Sequence, residues 1–115
     1  MAVEVRPSEE KPDVSVVLLS GRLDMEAVES DSPRLQEALQ QSAGGIVVDL
    51  GGVEFVSSSG VRMLLAADMD ARGSGKAIAL ARAQPAVYKI FKVAGISGKF
   101  RFFDDAEAAV RALGD

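Results

Sequence analysis

The 115-residue chain reads as an α/β protein on a mixed, mostly parallel sheet, with an N-terminal hairpin and about four helices. Three observations predict this. Short apolar, β-branched runs alternate with stretches of 3.6-residue apolar periodicity, an order that asks for parallel strands joined by helical crossovers. The run Ile46-Val47-Val48-Asp49-Leu50 is too continuous for a half-wet strand and fits a central strand covered on both faces. The first two strand patterns are separated only by turn-forming residues, so they are expected to pair as a hairpin.

The elements follow in order. Val3 and Val5 alternate with polar residues, Ser8 to Asp13 form a turn, and Val14 to Leu19 form the second strand. Gly21-Arg22-Leu23-Asp24 ends that strand. Met25 to Glu29 fits a helical turn or a loop. A helix is expected from Pro33, capped by Asp31 or Ser32, with Leu35, Ala38 and Leu39 inward and Gly44-Gly45 as its stop. After the central strand, Gly51 to Glu54 read as a short linker. The next helix runs from about Ser58 to Arg72, with Val61, Leu64 and Leu65 facing the core and Asp68 paired to Arg72. Ala77 to Ala81 is a strand. Pro85 opens a helix with Val87, Ile90, Phe91 and Ala94 on one stripe, closed by a left-handed cap at Gly95-Ile96. Phe100 to Phe103 is the last strand. Asp104 and Glu107 then form a capping-box pattern for a final helix that buries Ala106, Ala109, Val110 and Leu113.

Composition narrows the function. Hydrophobic residues make up 48% and charged residues 26%, which are globular values, and the length suits one domain over 1–115. The net charge is −4 with no basic cluster, which argues against direct nucleic-acid binding. There is no cysteine and no histidine, so thiolate nucleophiles, zinc–thiolate sites and the commonest general base are absent. The expectation is a non-enzyme with no catalytic residue, metal or cofactor. No apolar stretch approaches the roughly 18 residues of a membrane span. The N-terminus lacks the basic start and apolar core of a signal peptide, so a cytoplasmic protein is expected.

The most telling stretch is Ser57-Ser58-Ser59-Gly60, where a strand hands over to a helix. A helix start presents unpaired N–H groups and the positive end of the dipole, which suits a phosphate carried on a serine. A serine there is equally suited to capping, and either Ser57 or Ser59 can take that part.

Four segments resemble the STAS domain family, the fold of bacterial anti-sigma factor antagonists. Gly21-Arg22-Leu23-Asp24 resembles the family's motif after the second strand. Val47-Val48-Asp49-Leu50 with Val53 and Phe55 resembles its central strand. Ser57-Ser58-Ser59-Gly60-Val61 resembles its Asp-Ser-Ser/Thr-Gly-Leu signature. Val87, Ile90 and Phe91 through Gly95-Ile96 to Phe100 resemble its later helix and last strand. The resemblance covers about Val3 to Leu113. It implies that Ser58 is the serine phosphorylated by a partner kinase, and that Asp24 lies near it. The implied partners are an anti-sigma factor serine kinase of the histidine-kinase-like ATPase type and a resetting serine phosphatase. The implied contact surface is Asp24, Ser57, Ser59, Gly60, Arg62 and Met63. Met63, placed outside the helix stripe, serves there either as a partner contact or as edge packing. With Met25 to Glu29 it also leaves a homodimer open.

Two departures stand out. The signature's leading Asp is Ser57 here, and extra residues lie between Asp24 and Pro33. Some stand-alone proteins of the family are accessory subunits of lipid-transport ABC complexes, which is the alternative implied function. Two other readings carry less. Asp49 at a strand end reads as a cap for loop N–H groups, and Asp24, Asp49 and Glu54 lack a ligand spacing for a metal. Gly73-Ser74-Gly75-Lys76 precedes a strand and lacks the full phosphate-loop pattern, so it reads as a turn.

Overall fold

The structure is a computed structural model that describes residues 2–113. Strands β1 (Ala2–Pro7) and β2 (Val14–Leu23) form the antiparallel hairpin. Helix α1 (Met25–Gln41) leads to β3 (Gly45–Val56), and α2 (Ser58–Gly73) leads to β4 (Ala77–Ala81). Helix α3 (Pro85–Val93), a short 3-10 turn at Ser97–Lys99, β5 (Phe102–Phe103) and α4 (Ala106–Leu113) complete the described chain. The sheet order is β1-β2-β3-β4-β5, parallel from β2 onward. This matches the α/β expectation, including the hairpin and the four helices.

Strand alternation divides the apolar side chains between two faces. Val17, Leu19, Leu23, Ile46, Val48, Leu50 and Leu80 point to one side and pack under α1, α2 and α3. Val14, Val16, Val47, Ala79 and Ala81 point to the other and meet Ala109 and Val110 of α4. The central β3 is thus covered on both faces, as its unbroken apolar run requires. Each fully buried Leu or Val on these faces contributes about 1.5–3 kcal/mol of transfer free energy.

Several boundaries differ from the sequence reading. Helix α1 begins at Met25, eight residues before Pro33. Its N-cap is Asp24, whose carboxylate accepts from the Ala27 amide at 3.0 Å. Pro33 sits inside the helix. A proline there forfeits the bond to the carbonyl four residues back, and both Glu29 and Pro33 are exposed, so water can meet that carbonyl. Asp31 is therefore not a cap. It is buried on the core side of α1, its Oδ1 accepting from Ser30 Oγ at 3.3 Å.

Strand β3 also runs on through Gly51-Gly52 to Val56, where a linker was expected. It stays paired to the end of β2, which accommodates it with register shifts between Leu18 and Ser20 and between Gly21 and Arg22. The last strand shrinks to two residues because a 3-10 turn precedes it. The final helix is capped by Asp105, whose Oδ1 accepts from the Ala108 amide at 2.7 Å, and not by Asp104. The cap after α3 forms as read: Gly95 takes φ +76°, and the Ile96 amide reaches the Phe91 carbonyl at 3.0 Å.

Candidate functional site

The carboxyl ends of β2 and β3 lie side by side, and each hands over directly to a helix. Leu23, the last residue of β2, organises the junction. Its carbonyl accepts from the Ser57 amide at 2.9 Å and from Ser57 Oγ at 2.8 Å. Ser57 Oγ in turn accepts from the Gly60 amide at 3.2 Å, so Ser57 is the N-cap of α2. Gly60 is buried against this junction. A Cβ there would lie 2.8 Å from the Leu23 carbonyl and 2.9 Å from Val56 Cγ1, so only glycine lets α2 approach this closely.

Because Ser57 supplies the cap, Ser58 is left free. It occupies the first helical position of α2 and is exposed. The orphan amides and the dipole of a 16-residue helix favour negative charge at this hydroxyl. Ser59 beside it is half-buried. Asp24 follows Leu23 directly, so the junction brings Asp24 and Ser57 together. Its carboxylate is engaged with the Ala27 amide at the start of α1.

Met63 does not belong to the exposed surface. It is 5% exposed and packs in the core with Leu64 and Ala67. The inward face of α2 is Gly60, Met63, Leu64, Ala67 and Ala71, one position out of phase with the expected stripe. Val61 and Leu65 are only half-buried. The physical reason is Gly60: its close approach to Leu23 sets the rotation of the helix and turns Met63 inward. Met63 therefore supports neither a partner contact nor a dimer contact. The Arg72–Asp68 ion pair forms as expected, at 3.0 Å.

Arg62 stays exposed, one turn beyond Ser58. Both line an open groove of about 730 Å³ between the start of α2 and α3. Its floor and far wall include Val61, Ile90 and Val93, and Lys89 stands on the far rim. Val93 is 78% exposed, an unusual position for a valine on a helix. The α3 side of the groove was not foreseen. The signal for it lies in α3 itself, which carries more apolar residues than one buried stripe can use: only Val87 and Phe91 are fully buried, and Ala94 is exposed.

Asp49 lies inside β3 and not at a strand end, and it serves its own strand and the end of β4 instead of a loop. Its Oδ1 accepts from the Gly51 amide at 2.8 Å and from Arg82 Nε at 3.1 Å. Among the described residues there is no group of three metal-ligating side chains, and no helix is long and apolar enough to cross a membrane.

A five-stranded sheet opened by a hairpin, with an exposed serine on the first turn of the helix after the central strand, defines a small single-sheet α/β domain. The family model described as "Mlab, STAS domain" matches residues 8–103. The chain belongs to the STAS domain family.

Its relatives carry related names. A Bordetella bronchiseptica protein, BtrV, named as a candidate anti-sigma factor antagonist, is 25% identical over 98 residues, covering 85% of this chain and 84% of its own. An anti-sigma factor antagonist from Mycobacterium paratuberculosis superposes with a TM-score of 0.86 at 24% identity, over 99% of this chain and 94% of that one. The anti-sigma factor antagonist SpoIIAA, in its unphosphorylated form, gives 0.78 at 24% identity over 99% and 98% of the two chains. Bacillus SpoIIAA has also been solved phosphorylated, and that structure gives 0.74 at 23% identity over 97% and 99%. At these identities the structural likeness is one of fold.

Proposed function

We propose that the chain is an anti-sigma factor antagonist that works as a phosphorylation-controlled binding switch and not as an enzyme. Unphosphorylated, it binds an anti-sigma factor of the histidine-kinase-like ATPase type and frees a sigma factor. That partner phosphorylates Ser58, the complex separates, and a serine phosphatase resets the switch. The whole of 1–115 acts as one cytoplasmic domain.

The observation that carries this reading is that Ser58 is exposed while Ser57 does the capping, so the hydroxyl is free for modification. A phosphate adds about −1.5 to −2 charges at the place on α2 that tolerates them best, so the fold stays intact while the docking surface changes. That surface consists of Asp24, Ser57, Ser59, Gly60 and Arg62 together with the groove between α2 and α3. Apolar Val61, Ile90 and Val93 between basic Arg62 and Lys89 suit an apolar segment of the anti-sigma factor flanked by acids.

A second reading has one observation behind it. Ser57 stands where the family signature carries an acid, and an accessory subunit that braces a lipid-transport ATPase has no need of phosphorylation. Pull-down from native lysate with ATP, followed by mass spectrometry, separates the two. A kinase-type anti-sigma factor with one phosphate on Ser58 supports the switch. A transporter ATPase with an unmodified chain supports the brace. In the switch, Ser58→Ala holds the partner through repeated ATP turnover, and Ser58→Asp weakens binding at least about tenfold, ~1.4 kcal/mol. Equal binding by both variants defeats it.

A further inference from the structure

The groove beside Ser58 is basic on both rims. Arg62 lies four residues after Ser58 on α2, so the two side chains stand one above the other on the same exposed face. Lys89 lines the groove from α3. Among the described residues neither Arg62 nor Lys89 has an ion-pair partner. Three other exposed arginines are ion-paired: Arg72 with Asp68, Arg82 with Asp49, and Arg111 with Glu10. The nearby acid, Asp24, is turned to the Ala27 amide. Two uncommitted cations therefore share a groove with the one hydroxyl expected to acquire negative charge.

We propose that Arg62 and Lys89 are an internal receptor for the phosphate on Ser58, which they hold across the mouth of the α2–α3 groove. This inference rests on the reading of Ser58 as the modified residue. A guanidinium one helical turn away offers a planar fork to the phosphate oxygens, and the flexible lysine stem reaches in from the opposite wall. The apolar wall at Ile90 and Val93 then lies beneath a bridged phosphate. The same two cations that invite an acidic partner are neutralised from within. Phosphorylation thus removes the attraction as well as adding a repulsive charge, and the backbone need not move.

The test uses the full chain with phosphoserine genetically encoded at position 58, so it requires no kinase. The second ionisation of the phosphate is followed by ³¹P NMR titration in the parent chain and in Arg62→Gln, Lys89→Gln and Lys92→Gln variants. Lys92 is exposed on α3 but does not line the groove, so its removal deletes the same charge from a neighbouring place. The helix dipole acts equally in all four proteins and drops out of the comparison. The expected result is a pKa below the ordinary phosphoserine value of about 6 in the parent. Arg62→Gln raises it by roughly half a unit to one unit, Lys89→Gln raises it by less, and Lys92→Gln leaves it in place. An unchanged pKa in both Arg62→Gln and Lys89→Gln overturns the proposal. So does a Lys92→Gln shift as large as that of Arg62→Gln, because net charge alone then explains the effect. A chain that passes this titration but takes no phosphate from any ATPase partner retains the receptor and loses the switch.

Discussion

Helices α1 and α2 start in the same way and for different ends. Both follow directly on the carboxyl end of a parallel strand, and both are capped by a side chain that accepts from the amide three residues on. Asp24 accepts from Ala27 in α1, and Ser57 accepts from Gly60 in α2. The differences lie in charge and in fit. The carboxylate of Asp24 compensates the positive end of α1. The hydroxyl of Ser57 satisfies an amide of α2 without neutralising the dipole, and it also donates to the Leu23 carbonyl. At the third helical position α1 tolerates a buried alanine, whereas α2 needs glycine. A helix start that is locked into its neighbours yet left electrostatically open is the better place for a charge that comes and goes.

The largest test of this contrast is to make α2 resemble α1 at its third position. In Gly60→Ala the added methyl meets the Leu23 carbonyl and Val56, neither of which can yield easily. A loss of about 2 kcal/mol by urea unfolding is expected, of the size seen for overpacking. A loss below about 0.5 kcal/mol would show that α2 can slide outward.

Next comes Ser57→Ala, which orphans the Gly60 amide and removes the donor to Leu23. About 1.5 kcal/mol should go, at the upper end for a cap. Asp24→Ala at the other helix start should cost about 1 kcal/mol, and Asp24→Asn much less, because the amide oxygen still caps. If Asp24→Ala cost more than Ser57→Ala, the first helix and not the second would be the more tightly held. The smallest effect is expected at Ser58: Ser58→Ala should leave stability within about 0.5 kcal/mol, since the residue is exposed and not the cap. A larger loss would mean that Ser58 carries structural weight and is less free for modification.

The comparison also shows why the two starts were not equally legible. At α2 the serine run, the glycine and the following periodicity all point to one boundary. At α1 they conflict. Pro33 is the strongest local start signal between Asp24 and Leu35, and it drew the expected boundary eight residues too late. What overrides it is burial: Ala27 and Leu35 lie on one inward stripe under the sheet, and continuing the helix through an exposed proline costs less than uncovering that stripe. Gly51-Gly52 misled in the same manner. Two glycines weaken a strand in isolation, but pairing of β3 with the bulged end of β2 carries the ladder through them.

The periodicities of 2 and 3.6 along the chain were enough for the order of elements, the opening hairpin, the doubly covered central strand and the position of Ser58 at a helix start. These are local patterns, and each reports which side of an element avoids water. The direction in which Met63 points, the residue that caps α2 and the groove shared by Ser58, Arg62 and Lys89 were settled only in the packed molecule. They depend on contacts between residues more than twenty positions apart, such as the Leu23 carbonyl on Ser57 and the set of α3 beside α2. A one-position rotation of α2, set by how closely Gly60 approaches Leu23, buries Met63 and moves Val61 and Leu65 to the edge of the core, and no pattern within the helix reports that distance.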